Sequence, residues 1–327
     1  MRIVALEEHV AFGAFAAELD PVQVAQQGGS GGGGPVRNEL EDVGELRLRS
    51  MDENGITLQV LSVPGPGAAM IPQPSAGPDY ARRYNDAVAA AARKHPGRFL
   101  SFAHLPVLNP DAAADELTRA VRELGCPGAM VSGVTHGKFL DDPMFAPILA
   151  RAEELDVPIY IHPGVPPPAI RETYYGGFAP DVSFIFATAG WGWHIETGIH
   201  VLRMVLAGTF DRHPKLKIIV GHMGEALPFM LDRCDSWLTP RAKNLKRGVA
   251  QTILDQVYIT TAGFFTLAPF MSALLTFGVD RILFSVDYPF SKNDEARRFL
   301  DALPVAPSDR EKIAHGNADR ILKLGTY

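Results

Sequence analysis

The sequence predicts an α/β fold, a closed (β/α)8 TIM barrel with additional C-terminal helices. Two observations predict it. Short, near-continuous apolar segments alternate with amphipathic helical stretches from end to end, the pattern of a parallel sheet covered by helices. The strand segments number eight in 327 residues, which fits closure into a barrel better than an open, doubly wound sheet.

Taken in order, the strands are IVALEEHV, ITLQVLSVP, RFLSFAHLPV, PGAMVSGV, VPIYIHPG, LKIIVGHMG, VYITTAG and RILFSVDYP. Between them lie PDYARRYNDAVAAAARKHPG, PDAAADELTRAVRELG, DPMFAPILARAEELD and TGIHVLRMVLAGTF. Several of these open at Pro-Asp or Asp-Pro and close at Gly or His-Pro, ordinary helix start and stop signals. One stretch breaks the alternation, QQGGSGGGGPV at 26–36. It lacks the Lys-Ser/Thr ending of a phosphate loop and reads as a flexible Gly-rich loop within a single barrel unit spanning 1–327. Because it follows the first strand, a mobile lid over the barrel mouth is its second reading.

Composition excludes several classes. Net charge is −6, from 31 basic and 37 acidic residues without a basic cluster, which argues against a nucleic-acid partner. Two cysteines, Cys126 and Cys234, are too few for a disulfide framework and point to a reducing cytoplasm. No apolar run approaches the roughly 20 residues that span a bilayer, and the N-terminus has no signal-peptide core. No dinucleotide fingerprint is present, so no organic cofactor is expected.

The polar residues carry the functional signal. In a strand, residues two apart share a face, so Glu7 and His9 project together at the end of the first strand while Glu8, on the opposite side, reads as a surface charge. His162 ends the fifth strand, His222 the sixth and Asp287 the eighth. In a parallel barrel these ends open on one face, where active sites of this fold lie. Imidazoles and carboxylates converging there suit one divalent ion, zinc or manganese. His104 and His136 lie where a substrate contact is within reach, and His194 and His200 read as helix-packing residues.

These same residues carry a resemblance. Glu-x-His on the first strand, with His162, His222 and Asp287, resembles the amidohydrolase superfamily, and the opening ALEEH is similar to its decarboxylase branch. That amidohydrolase-2 branch includes γ-resorcylate, 2,3-dihydroxybenzoate and 5-carboxyvanillate decarboxylases and, more distantly, aminocarboxymuconate-semialdehyde decarboxylase. RLRSMDENGI, GHMGE and RILFSVDYPF extend the likeness over almost the whole chain. The resemblance implies that Glu7, His9, His162 and Asp287 hold the metal. It makes His222 a catalytic histidine beside the metal, oriented by Glu225, and Arg233 the arginine that binds the substrate's departing carboxylate. It gives Arg47 no role. It implies a homodimer or homotetramer acting on a small aromatic carboxylate. Two features depart from the branch: the Gly-rich stretch, and Ser132 where an asparagine is expected.

The implied reaction is metal-dependent, non-oxidative decarboxylation, in which Asp287 protonates the ring carbon that bears the carboxylate and CO2 departs. A metal-dependent hydrolase of a lactone, amide or ester, or a hydratase, fits the ligands nearly as well, with Asp287 then a general base. A non-catalytic binding scaffold is the remaining reading.

Overall fold

The computed structural model describes residues 1–27 and 35–325. Most of the Gly-rich loop expected at 26–36 therefore lies outside the described residues. Its flanks are helical, Pro21–Gln26 before it and Pro35–Glu41 after it.

The strands are β1 (Val4–His9), β2 (Leu58–Ser62), β3 (Phe99–Ser101), β4 (Ala103–His104), β5 (Ala129–Ser132), β6 (Ile159–His162), β7 (Ile218–Val220), β8 (Val257–Thr260) and β9 (Ile282–Leu283). Every pairing is parallel, in the orders β1-β2-β3 and β4-β5-β6-β7-β8-β9. The third expected strand is thus one strand broken at Phe102, whose N–H donates to Leu61 O at 2.9 Å and joins the two sheets. At the other junction Leu6 bridges Ser285, and its N–H donates to Phe284 O at 3.2 Å. The eight expected strands therefore close into a barrel, as the sequence predicts.

Alternation along the strands sorts apolar side chains into two layers. Val4, Leu6, Val60, Phe102, Met130, Tyr160, Ile219, Tyr258 and Leu283 fill the barrel. Ala5, Leu61, Ile159, Ile161, Val220 and Ile259 pack outward against helices. The expected C-terminal helices include Asn317–Ile321, and Ala318, Ile321 and Leu322 seat on the interior cluster beside the strand starts Val4 and Leu58.

β1 breaks this alternation, and the break creates the site. Val4 and Leu6 point inward, so an unbroken strand would send Glu8 inward and Glu7 and His9 outward. Instead the register with β2 shifts between Ala5 and Glu8, and Glu7 sits in the left-handed region at φ 63°. That extra residue is a β-bulge, a device that re-aims side chains at barrel rims. It turns Glu7 and His9 into the barrel together, as expected, by a route that simple alternation does not supply.

Candidate metal and catalytic site

Glu7 and His9 from β1, His162 from the end of β6 and Asp287 after β9 each offer one ligand atom, all within 4.8 Å of one another. His162 Nδ1 lies 2.7 Å from Pro163 O. A carbonyl only accepts, so Nδ1 carries the hydrogen, and burial foremost pushes this histidine down to about 3, leaving the ring neutral. Its Nε2 lone pair therefore faces Glu7 Oε1, 3.2 Å away. Two acceptors turned on each other need a cation or a proton between them. Glu7 Oε1 and His9 Nε2 are buried and have no hydrogen-bond partner among the described residues, and His9 Nε2 lies 3.2 Å from Asp287 Oδ1. The residues present thus fit a divalent ion held by two imidazoles and two carboxylates.

The ligands are themselves anchored. Tyr160, two residues before His162 and on the same barrel face, donates its hydroxyl to Glu7 Oε2 and lies 2.9 Å from Thr260 Oγ1. His9 Nδ1 lies 3.1 Å from Ser62 Oγ. Gly221 leaves the space Glu7 occupies, since a Cβ there would lie 2.6 Å from Glu7 Oε2. Glu7, His222, Glu225 and Asp287 all adopt positive φ, strained backbone of the kind that clusters at functional sites.

His222 stands beside the four ligands. Its Nδ1 lies 2.6 Å from Glu225 Oε1, and its Nε2 lies 3.7 Å from Glu7 Oε1 and 3.8 Å from Asp287 Oδ2. Burial opposes charge on this ring, but Glu225 and Glu7 outweigh it and hold its pKa well above the ordinary value. Burial foremost pushes Glu7 up to about 8, with His222 opposing and Asp287 adding to the rise. Burial would also raise Asp287, yet the neighbouring His222 and His9 imidazoles hold it well below the usual carboxylate range. These directions favour the protonated forms of Glu7 and His222 and the ionised form of Asp287.

Comparison with known proteins supplies the family. A family model described as amidohydrolase matches residues 45–324. The γ-resorcylate decarboxylase of Rhizobium sp. (strain MTP-10005) is 39% identical over 299 residues, covering 88% of this chain and 90% of its own. This chain belongs to the amidohydrolase family. The crystal structure of 2,6-dihydroxybenzoate decarboxylase from Rhizobium matches this amidohydrolase with a TM-score of 0.88 at 37% identity, covering 99% of both chains. A dihydroxybenzoic acid decarboxylase from Polaromonas sp., solved with bound manganese and the inhibitor 2-nitroresorcinol, matches with a TM-score of 0.87 at 34% identity, covering 99% of this chain and 98% of its own.

The structure of the amidohydrolase corrects several sequence readings. Glu8 is not a surface charge but is fully buried. Its Oε1 accepts from Val286 N–H at 2.9 Å and its Oε2 from Tyr288 N–H at 3.3 Å, clamping the backbone on both sides of Asp287. Gln59 Nε2 donates to the same Oε2 at 3.3 Å, and Arg47, also fully buried, donates to Gln59 Oε1 and, at 2.6 Å, to His9 O. Arg47, given no role from sequence, thus belongs to the scaffold behind two ligands. His104 is no substrate contact: it is buried, its Nε2 accepts from Ala68 N–H at 2.8 Å, and burial pushes it down to about 4. His136 is exposed on its loop. His194 is more than a packing residue, since its Nδ1 lies 2.7 Å from Glu225 Oε2.

Arg233 is exposed on the helix Leu227–Leu238, with its guanidinium 4.7 Å above the Trp237 ring, and the structure does not bring it into the ligand cluster. Ser132 ends β5 in register with His162, which places it at the mouth. Phe290 lies 5.6 Å from the His9 ring and Phe264 5.9 Å from that of His222, apolar walls that sequence reading missed because nothing local marks them. No helix among the described residues is long and apolar enough to cross a membrane.

Proposed function

We propose that this amidohydrolase is a metal-dependent, non-oxidative decarboxylase of a small hydroxylated aromatic carboxylic acid. The observation that carries the reading is the inward-turned pair of partnerless buried atoms, Glu7 Oε1 and His9 Nε2, beside an Asp287 whose two oxygens face His9 and His222. The γ-resorcylate and 2,6-dihydroxybenzoate decarboxylases similar to this chain support the substrate class, and the manganese-bound relative supports manganese over zinc.

Glu7, His9, His162 and Asp287 would hold one divalent ion, whose positive charge would fix a phenolate oxygen and a carboxylate oxygen of the substrate. Phe290 and Phe264 exclude water around the ring. His222, its Nδ1–H held on Glu225, turns Nε2 toward Asp287 and returns a proton to it between turnovers. Asp287 delivers that proton to the ring carbon bearing the carboxylate. The electrons of the breaking C–C bond restore the aromatic ring as CO2 leaves, so proton and charge balance without a redox partner. Arg233, which stands over Trp237 outside the ligand cluster, is proposed to pair with the substrate carboxylate, loosely enough that loss of CO2 is not penalised.

The chain is read as a homodimer or homotetramer, in keeping with the exposed Tyr174, Phe178, Val182, Ile185, Trp191, Phe229 and Trp237, apolar surface of a kind that marks contact between proteins. The deciding experiment is CO2 release by manganese- and zinc-loaded protein from 2,6- and 2,3-dihydroxybenzoate, salicylate, 5-carboxyvanillate and isoorotate. Metal-dependent release from one or more is expected. No release from any, with metal bound, overturns the reading and leaves the hydrolase.

A further inference from the structure

We propose that His194 is a positioning residue for this reaction: it holds the second oxygen of Glu225, and through that carboxylate fixes the His222 ring that faces Asp287. The proposal rests on the decarboxylase reading above.

The Glu225 side chain is fully buried and has one imidazole on each oxygen. Oε1 is 2.6 Å from His222 Nδ1 and Oε2 is 2.7 Å from His194 Nδ1. Although burial works against the ionised carboxylate, His222 and His194 hold it below the usual range, so both oxygens accept and both Nδ1 atoms donate. The last torsion of a glutamate is soft. With His222 alone as partner the carboxylate would be free to turn, and the imidazole plane with it. A second donor on the other oxygen removes that freedom.

That second donor comes from a separate element, the helix Gly192–Leu206, and two features show how it is seated. Gly198, one turn after His194 on the same helical face, has no room for a side chain, because a Cβ there would lie 2.8 Å from Glu225 O. The helix therefore docks directly against the Glu225 backbone. The far edge of the His194 ring is held as well, since Trp193 Nε1–H donates to its Nε2 at 3.2 Å. The ring meets His222 edge-to-face at 4.7 Å and Phe264 at 5.5 Å. His194 thus links the helix, the apolar wall and the catalytic histidine.

The test compares His194→Ala with His194→Asn, whose Nδ2 overlays the imidazole Nδ1 and preserves the donor. In manganese-loaded protein, His194→Ala is expected to lower kcat on 2,6-dihydroxybenzoate by about 10–100-fold, the usual cost of losing an outer partner of a site residue. KM should change by less than about threefold, and His194→Asn should restore most of kcat. In a Glu225→Gln background, His194→Ala should cost nothing further, since residues acting through one group are non-additive. Manganese content per chain should match the wild type.

A second readout needs neither metal nor turnover. The downfield NMR resonance of the His222 Nδ1 proton, assigned by its loss in His222→Gln, should shift or broaden in the metal-free His194→Ala protein and persist in His194→Asn. An unchanged resonance in His194→Ala, a fully additive loss with Glu225→Gln, or loss of bound manganese would each overturn the proposal. If the wild type releases no CO2 from any acid, the function reading fails, and the resonance still decides whether His194 sets the His222 ring.

Discussion

Replacing Arg47 with methionine removes a fully buried guanidinium and every hydrogen bond it donates. Arg47 is fully buried and makes four donations beyond its charge: to Asp42 O at 2.9 Å, Gln59 Oε1 at 3.3 Å, His9 O at 2.6 Å and Glu39 O at 3.1 Å. Methionine fills much of the volume, so packing loss is minor and electrostatics decides. The four acceptors would each lose a donor worth about 1 kcal/mol, so a loss of about 3–5 kcal/mol is expected. For a chain of 327 residues, that corresponds to about 4–7 °C in Tm. The assay is thermal unfolding of metal-free protein followed by circular dichroism. Arg49→Ala is the matched control: its pair with Glu45 is exposed and one helical turn apart, worth about 0.5 kcal/mol or less. A Tm for Arg47→Met no lower than that of Arg49→Ala would refute the assignment of Arg47 as the buried donor that holds the scaffold behind the candidate ligands.

Other perturbations separate the ligands from their supports. Gly221→Ala should leave the fold intact but weaken manganese binding at least about tenfold, because its Cβ would meet Glu7 Oε2 at 2.6 Å and Tyr160 Oη at 3.1 Å; calorimetric titration with manganese measures this. Asp287→Asn should lower turnover by about 10²–10⁴, the contribution of a positioned acid, while the protein still folds and binds an aromatic acid, as unfolding and equilibrium binding would reveal. Glu7 is raised to about 8, so at neutral pH it must lose a proton when a metal binds. Affinity should rise with pH up to about 8 and then level off, and calorimetry in two buffers should find protons released; proton uptake would contradict this. His104 and His200 are pushed down by burial to about 4 and about 3, and each accepts a backbone N–H at Nε2, from Ala68 and Leu140. Their folded pKa values lie below the unfolded value, so below pH 6.5 the unfolded chain binds more protons and stability falls with pH, by up to about 3 kcal/mol per ring by pH 4. Denaturant unfolding across that range should show a shallower fall for His200→Gln than for the wild type.

The parts of the fold that the sequence disclosed are those set by short-range pattern. Apolar runs such as KIIV before GHMGE need only period and flanking glycines to read as buried strands, and the eighth strand followed from ILF before Asp287. The break at Phe102 was not legible, because RFLSFAHL is apolar throughout and the interruption arises from the switch of partner from Leu61 O to Gly128 O. The same limit hid the role of Glu8. Two of its three acceptor bonds come from residues nearly the whole chain away, Val286 and Tyr288, and no local pattern distinguishes a glutamate bound there from one facing water.

The Glu-Glu-His run shows why the ligands were readable while their supports were not. A metal needs several donors of a few residue types at strand ends, so the candidates announce themselves by type and position. Supports need only one complementary group at the right distance, which Tyr160, Ser62, Gln59, Arg47 and His194 each supply with an ordinary side chain. Even the correct expectation that Glu7 and His9 share a face depends on the bulge that places Glu7 at φ 63°, since Val4 and Leu6 already occupy the inward positions of an unbroken strand. Alternation counted from the start of β1 would have aimed Glu8 at the metal. The strained backbone at Glu7 is therefore the step that converts a strand ending in two carboxylates into one that gives the first to the candidate metal cluster and the second to the loop carrying Asp287.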